Sequence, residues 1–380
     1  MKKINLFLIL QIGIALSMLL SACQPVATAT PVAAPTQAAQ PTTAPIQAAQ
    51  PTTAPTTTKQ LSFGYTLHAM VPFTQEIAFG AQQAGKDLGV TVEVVGPPQL
   101  DAQAQIAEFE GFISKGVDGL VTVPQADVWV KEINTTVAKG IPVMTANVFA
   151  VGSNAQFYVG EDGYVSGTAL GEATAKLLND ASITTGKAVV GVCAPGVATL
   201  TDRYNGFVDA MKKAAPGITV TQPYDAKTDI GANYTFWENT YSANPDMTVA
   251  VGLCSIDLPN MAILKQKTGA KFKAVGYDEV TDTMNALKAG LVDVAIGQHP
   301  YLQGYLPILA MTMQLRDGKP PVKGWLVVPS EVVTKDNISQ IYQRQTDDAF
   351  RVSWYKNFMT TTYGADFSGL YNLLKPMPTK

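Results

Sequence analysis

LSFGYTLHAMVPFTQEIAFGAQQAGKDLGVTVEVV, residues 61–95, decides the fold. Its first six residues form a β-rich run that is apolar on both faces, the mark of a strand covered by a layer on either side. Pro72 suits the first turn of a helix, and the stretch from Phe73 to residue 88 stops at Gly89. Residues 90–95 return to strand. Strand, helix, strand in this order implies parallel strands joined by a right-handed crossover. The rhythm continues downstream. Strands are expected at 119–123, 143–145, 157–160, 188–193, 220–224, 248–252, 273–276, 293–297 and 325–328. Helices are expected at 102–115, 127–139, 163–179, 202–214, 230–243, 258–267, 281–289 and 301–317. The pattern restarts near Gly186, so the class is α/β, with two doubly wound parallel-sheet domains.

Upstream lies a different kind of sequence. Met1-Lys2-Lys3 leads into an apolar run and then Leu20-Ser21-Ala22-Cys23. This order reads as a bacterial secretory signal over residues 1–22, with a lipobox cysteine at Cys23. A plain transmembrane anchor competes with that reading, because the apolar run is nearly long enough to span a bilayer. Residues 23–60 form a Pro/Thr/Ala-rich tether, and 24–58 carry no charge; 37–46 and 47–56 are near copies. So many prolines preclude helix and sheet. Such a tether reaches on the order of 30 to 100 Å; a glycosylated stalk is the alternative. Both readings put the globular body at a distance from a membrane, on its outer face. The net charge is −3, with no basic cluster, which argues against nucleic acid as a partner.

In open α/β sheets ligands bind beyond the carboxyl ends of the strands. Those positions hold His68 and Phe73, Asp127, Asn147, Arg203, Ser255, Asp278 and Gln298. Planar groups that donate and accept suit vicinal hydroxyls, and an aromatic ring suits the apolar face of a sugar. Structural roles are open to the same residues: Asp278 could cap the helix expected at 281, and Arg203 could pair with Asp202. An enzyme is disfavoured. There are two histidines and three cysteines, and no metal or cofactor motif or nucleophile elbow occurs. A glycoside hydrolase using Asp127 and Asp278 is the residual alternative.

Several short motifs occur in a fixed order. These are Pro72-Phe73, Gly116-Val117-Asp118-Gly119-Leu120, Lys139-Gly140-Ile141-Pro142-Val143, Arg203-Tyr204-Asn205-Gly206-Phe207, Val275-Gly276-Tyr277-Asp278 and Ile296-Gly297-Gln298. In this order, over residues 61–335, the chain resembles the type I periplasmic binding proteins for sugars. The resemblance implies that Phe73 stacks on a sugar ring and that Arg203, Asp278 and Gln298 bind hydroxyls. Asn147, Asp127, Ser255 and His68 complete the expected site. Two departures stand out: Thr74 replaces a second phenylalanine, and the family's cleft asparagine is replaced near Cys254-Ser255.

The resemblance also implies a first lobe of 61–147 plus 299–323 and a second of 148–298 plus 324–335. A three-strand hinge joins them, and 336–380 form an extension whose aromatic residues pack rather than function. The strand order of the family makes the strands of Cys193 and Cys254 neighbours, which leaves two readings open: a disulfide between them, or two buried free thiols. The implied function is an extracytoplasmic solute receptor of an ABC importer. It captures a simple sugar or polyol by hinge closure, as a monomer, and hands it to the transporter's membrane subunits. A nucleoside or furanose signal molecule is the alternative ligand.

Overall fold

The structure is a computed structural model that describes residues 60–125 and 127–379. The expected signal segment, Cys23 and all of the tether except residue 60 lie outside the described residues. The chain begins with β1 (Ser62–Thr66), α1 (Pro72–Leu88), β2 (Thr91–Val95), α2 (Ala102–Lys115), β3 (Gly119–Thr122), α3 (Val128–Ala138), β4 (Val143–Ala146) and β5 (Phe157–Gly160). Local chemistry sets these limits. The Thr74 hydroxyl accepts from Val71 N at 3.0 Å and closes the first turn of α1. Asp101 accepts from Gln103 N and Ala104 N, both at 3.0 Å, and so caps α2. Gly116 ends α2 at φ +72°, a left-handed turn that costs glycine little. Strands β3, β4 and β5 are buried throughout.

A second series follows: α4 (Gly163–Asp180), β6 (Gly186–Val192), α5 (Ala198–Ala214), β7 (Ile218–Val220), β8 (Tyr224–Asp225), α6 (Ile230–Ala243), β9 (Val249–Gly252), α7 (Asp257–Thr268), β10 (Lys273–Tyr277), α8 (Thr281–Lys288) and β11 (Val294–Gly297). The single strand expected over 220–224 is instead two short ones. β7 pairs with the start of β6 and β8 with its end. Pro223 lies between them and has no N–H to give to a ladder.

The chain then continues through α9 (Pro300–Leu315), β12 (Gly324–Val327), β13 (Glu331–Val333), α10 (Ile338–Thr346), α11 (Asp348–Tyr363) and β14 (Leu374–Lys375). Two sheets result. The first has the order β14-β12-β5-β4-β3-β1-β2, and the second β13-β11-β10-β9-β6-β7. Pairing is parallel except for β14 and β13 at the edges.

These pairings move the expected lobe boundaries. β5 was assigned to the second lobe by the limit at residue 148, yet it pairs with β4, Met144 opposite Phe157. β12, expected in the second lobe from residue 324, pairs with β5, Gly324 opposite Phe157. Both are short apolar strands, and their own pattern does not say which sheet will cover them. The chain passes between sheets after β5, after β11 and after β12. It passes a fourth time within the extension: Ile338 and Ile341 of α10 pack into the second lobe, whereas Tyr355, Met359 and Tyr363 of α11 pack into the first.

Each lobe is closed by the same device. A Cβ on Gly80 of α1 would collide with the Tyr301 carbonyl of α9, and one on Gly304 with the Ile77 carbonyl. In the second lobe, Gly167 of α4 faces the Arg203 carbonyl and Gly206 of α5 faces the Tyr164 carbonyl. Reciprocal glycines let the helices touch backbone to backbone, and the second pair sets the position of Arg203. Gly167→Val is therefore expected to cost about 1–3 kcal/mol through overpacking. Gly111→Ala on α2, where nothing lies within 4 Å, serves as a neutral or stabilising control. Urea unfolding midpoints compare the two, and equal midpoints would remove this role for the contact.

Candidate functional site

Left-handed backbone at residues other than glycine occurs past the ends of β4, β10 and β11, at Asn147 (φ +62°), Asp278 (+75°) and His299 (+49°). Asn, Asp and His tolerate this region best, and such conformations concentrate at functional sites. Asn147 follows β4, Asp278 follows β10, and Gln298-His299 connects β11 to α9. Their side chains form one chain of hydrogen bonds. Asn147 Nδ2 donates to Gln298 Oε1 at 3.1 Å, and Gln298 Nε2 donates to Asp278 Oδ1 at 2.7 Å. The Gln298 backbone is held as well. Its N–H donates to Glu279 Oε2 at 3.1 Å, and its carbonyl accepts from Gln303 Nε2 at 2.9 Å.

Arg203 enters from α5. Its Nε donates to Glu161, the residue after β5, and its Nη1 to the Leu253 carbonyl at 2.6 Å. The guanidinium lies over the Tyr277 ring at 3.8 Å. Its carboxylate partner is thus Glu161 rather than the adjacent Asp202. Phe73 sits in the first turn of α1. Thr74 does not enter the site, because its hydroxyl donates to the Ala69 carbonyl at 2.5 Å. His68 Nδ1 is buried without a partner, and burial pushes the imidazole down to about 4, so the ring is neutral at pH 7.

A cleft of about 370 Å³ brings together Phe73, Arg203, Asp278, Gln298, Asn147, Ser255 and His68. Asp127 does not join them. It is exposed and lines an adjoining compartment with Glu161 and Asp202, beside Tyr158 and Trp325. Asp127 stands at the N-cap position of α3, just ahead of Val128. Asp127 and Asp278, the pair considered for glycoside hydrolysis, therefore sit in different compartments.

Sequence reasoning missed the residues that hold the site. Glu161 lies in Gly160-Glu161-Asp162-Gly163, directly after β5. Asp257 lies below the Cys254 loop. Its Oδ2 accepts from Cys254 N at 2.9 Å, and its Oδ1 from Trp237 Nε1 at 2.9 Å and Asn233 Nδ2 at 2.7 Å. Burial raises Asp257 to about 6 against those hydrogen bonds. Cys193 and Cys254 are disulfide-bonded across the ends of the adjacent strands β6 and β9, with Cα atoms 6.1 Å apart.

A model of the periplasmic binding protein domain matches residues 64–320. The chain belongs to this family. A xylose/arabinose-binding protein of Sulfolobus acidocaldarius is 24% identical over 290 residues, 70% of this chain and 69% of that protein. A ribose import binding protein of Haemophilus influenzae is 26% identical over 258 residues, 66% of this chain and 84% of the relative. Among solved structures, an ABC transporter solute-binding protein of Burkholderia graminis in complex with D-arabinose superposes with a TM-score of 0.67. It is 25% identical, over 73% of this chain and 96% of that one. As a periplasmic binding protein of type I, the chain is not an enzyme, which removes the hydrolase alternative. The family match ends before β12, α10, α11 and β14.

Asp278 makes the stability of the fold sensitive to pH. Burial pushes its carboxyl up to about 7, while Arg203 pulls it back. Between the unfolded value near 4 and about 7, the folded chain holds a proton that the unfolded chain has lost. Stability therefore falls as pH rises through that window. Asp278→Asn is expected to reduce this slope and to stabilise the empty protein at pH 8. Denaturant unfolding between pH 4.5 and 8 measures it, and an unchanged slope would show that Asp278 is ionised throughout.

Proposed function

We propose that this chain captures a simple sugar or related polyol outside the cytoplasm, closes its two lobes on it as a monomer, and presents it to the membrane subunits of an ABC importer. The observation that carries the reading is the Asn147–Gln298–Asp278 hydrogen-bonded chain in one cleft with Arg203 and Phe73. It offers acceptors, amide donors and a guanidinium in one cleft that Phe73 also lines. That set matches vicinal hydroxyls on a ring with an apolar face. The names of the relatives, which bind xylose, arabinose and ribose, agree with it. A ligand that bonds Asn147 in the first lobe and Arg203 in the second makes both sets of contacts only when the lobes are together, so binding favours closure.

Titration calorimetry with a panel of pentoses, hexoses and nucleosides tests the ligand class. Asp278→Ala and Arg203→Ala should each cost about 2–5 kcal/mol, or thirtyfold and more, because each leaves a buried partner unpaired. Wild-type affinity in both variants would place the site elsewhere, and a preference for nucleosides would favour a nucleoside receptor on the same fold.

The lipobox reading of Leu20-Ser21-Ala22-Cys23 adds an anchor. Among the described residues no helix is long and apolar enough to cross a membrane. Diacylglycerol on Cys23, followed by the proline-rich tether, would hold the receptor near its transporter. Cys23→Ala should yield unprocessed precursor or release the protein from the membrane fraction, and normal processing and retention of that variant would sink the idea.

A further inference from the structure

Apolar side chains stand at the mouth of the cleft, beside Gln99, Thr228 and Asp229, above a buried polar floor. Asp278, Gln298 and Arg203 are buried, whereas Met70 is 36% exposed, Leu100 42% and Ile230 56%, and all line the same cavity. Both lobes contribute: Met70 and Leu100 come from loops of the first, and Ile230 and Ile256 flank the cleft from the second. Apolar side chains concentrated on one exposed patch mark a contact.

The wall between floor and mouth points the same way. It is built by the Cys193–Cys254 disulfide, where the family resemblance would place an amide. Its backbone donors are occupied. Cys254 N donates to Asp257 Oδ2 at 2.9 Å, and Cys193 N to Cys254 Sγ at 3.3 Å. At the mouth, Oδ1 of Asp229 accepts from Ala232 N at 2.8 Å as the cap of α6. A ligand hydroxyl pressed against the disulfide itself would find both cysteine N–H groups taken, and leaving water there without a partner is costly.

We infer that the cleft is built for a glycoside, a sugar whose anomeric oxygen carries an apolar substituent, rather than for a free sugar. The ring rests on the floor, and the substituent runs along the disulfide to Met70, Leu100, Ile230 and Ile256. The anomeric oxygen is the ring position that accepts such a group while leaving the other hydroxyls for Asn147, Asp278 and Arg203. This inference rests on the sugar-binding reading above and names the ligand class within it.

Calorimetry on the wild-type protein with D-ribose, D-xylose, L-arabinose and D-galactose, each beside its methyl and phenyl glycosides in both anomers, tests it. At least one phenyl glycoside is expected to bind tenfold or more tightly than its parent sugar. Leu100→Ser and Ile230→Ser, at exposed positions that tolerate a polar side chain, should bring that ratio close to one. Free sugars binding as tightly as every glycoside would overturn the inference and leave the sugar receptor standing. Equal losses for parent and glycoside in the two variants would also overturn it, because the apolar lips would then only seal the closed cleft. Binding of neither class would overturn the sugar reading itself, and this inference with it.

Discussion

The amide of Gln298 is the joint on which the cleft depends. It lies at the passage from the second sheet back to the first, and its two ends face the two lobes. Oε1 receives Asn147 and Nε2 binds Asp278. An amide can do this because it donates at one end and accepts at the other; a carboxylate or an ammonium in its place would leave one neighbour unpaired. The positive φ of Asn147 and Asp278 turns both side chains off their strand ends toward it. Removing it would disconnect the floor of the cleft at its centre, which costs more than one hydrogen bond because the buried Asp278 loses its donor.

The parts of this site that could be read from sequence follow from where side chains sit on strands. A residue just past a parallel strand must lie at the open edge of the sheet, so seven of the eight expected positions converge. Asp127, just before α3, lines the next compartment, which its spacing along the chain does not report. Glu161, Asp257 and Glu279 were missed for another reason. They act through long-range partners, 42, 20 and 19 residues away, that only the folded sheets bring near. The assignment of β5 and β12 to the wrong lobe has the same root. Apolar strands carry their helix-facing pattern but no record of their neighbours.

The extension supports the same joint from behind. Arg344 of α10 is buried, with its Nη2 bonded to Glu331 Oε2 at 2.5 Å and 3.7 Å from Glu279 Oε1. Glu279 in turn holds the Gln298 N–H. The guanidinium also lies over the Trp354 ring of α11 at 4.4 Å, and Tyr355 stacks on Tyr301 of the first lobe at 4.3 Å. His299, next to Gln298, stacks on Trp354 and Phe358 and contacts the Tyr355 hydroxyl at 3.2 Å through Nδ1. Burial pushes this imidazole down to about 3, so it contributes a ring rather than a charge at pH 7. The aromatic residues of the extension thus pack, and what they pack around is the passage that carries Gln298.

This arrangement limits how the lobes can move. Glu279 belongs to the second lobe, Trp354 and Tyr355 belong to a helix packed on the first, and Arg344 touches all three. Glu331 lies on β13, which pairs with β11, and α10 packs into the second lobe, so Arg344 and both its carboxylates form one body. What ties the two lobes here is the aromatic face: Trp354 and Tyr355 ride on the first lobe and meet the guanidinium of the second. Such a contact is worth about 0.5–2 kcal/mol, less than the roughly 3–5 kcal/mol that breaking a buried ion pair costs. A relative motion of the lobes would therefore load the aromatic contact first and leave the Arg344 ion pairs intact, and with them the Glu279 carboxylate that holds the Gln298 N–H.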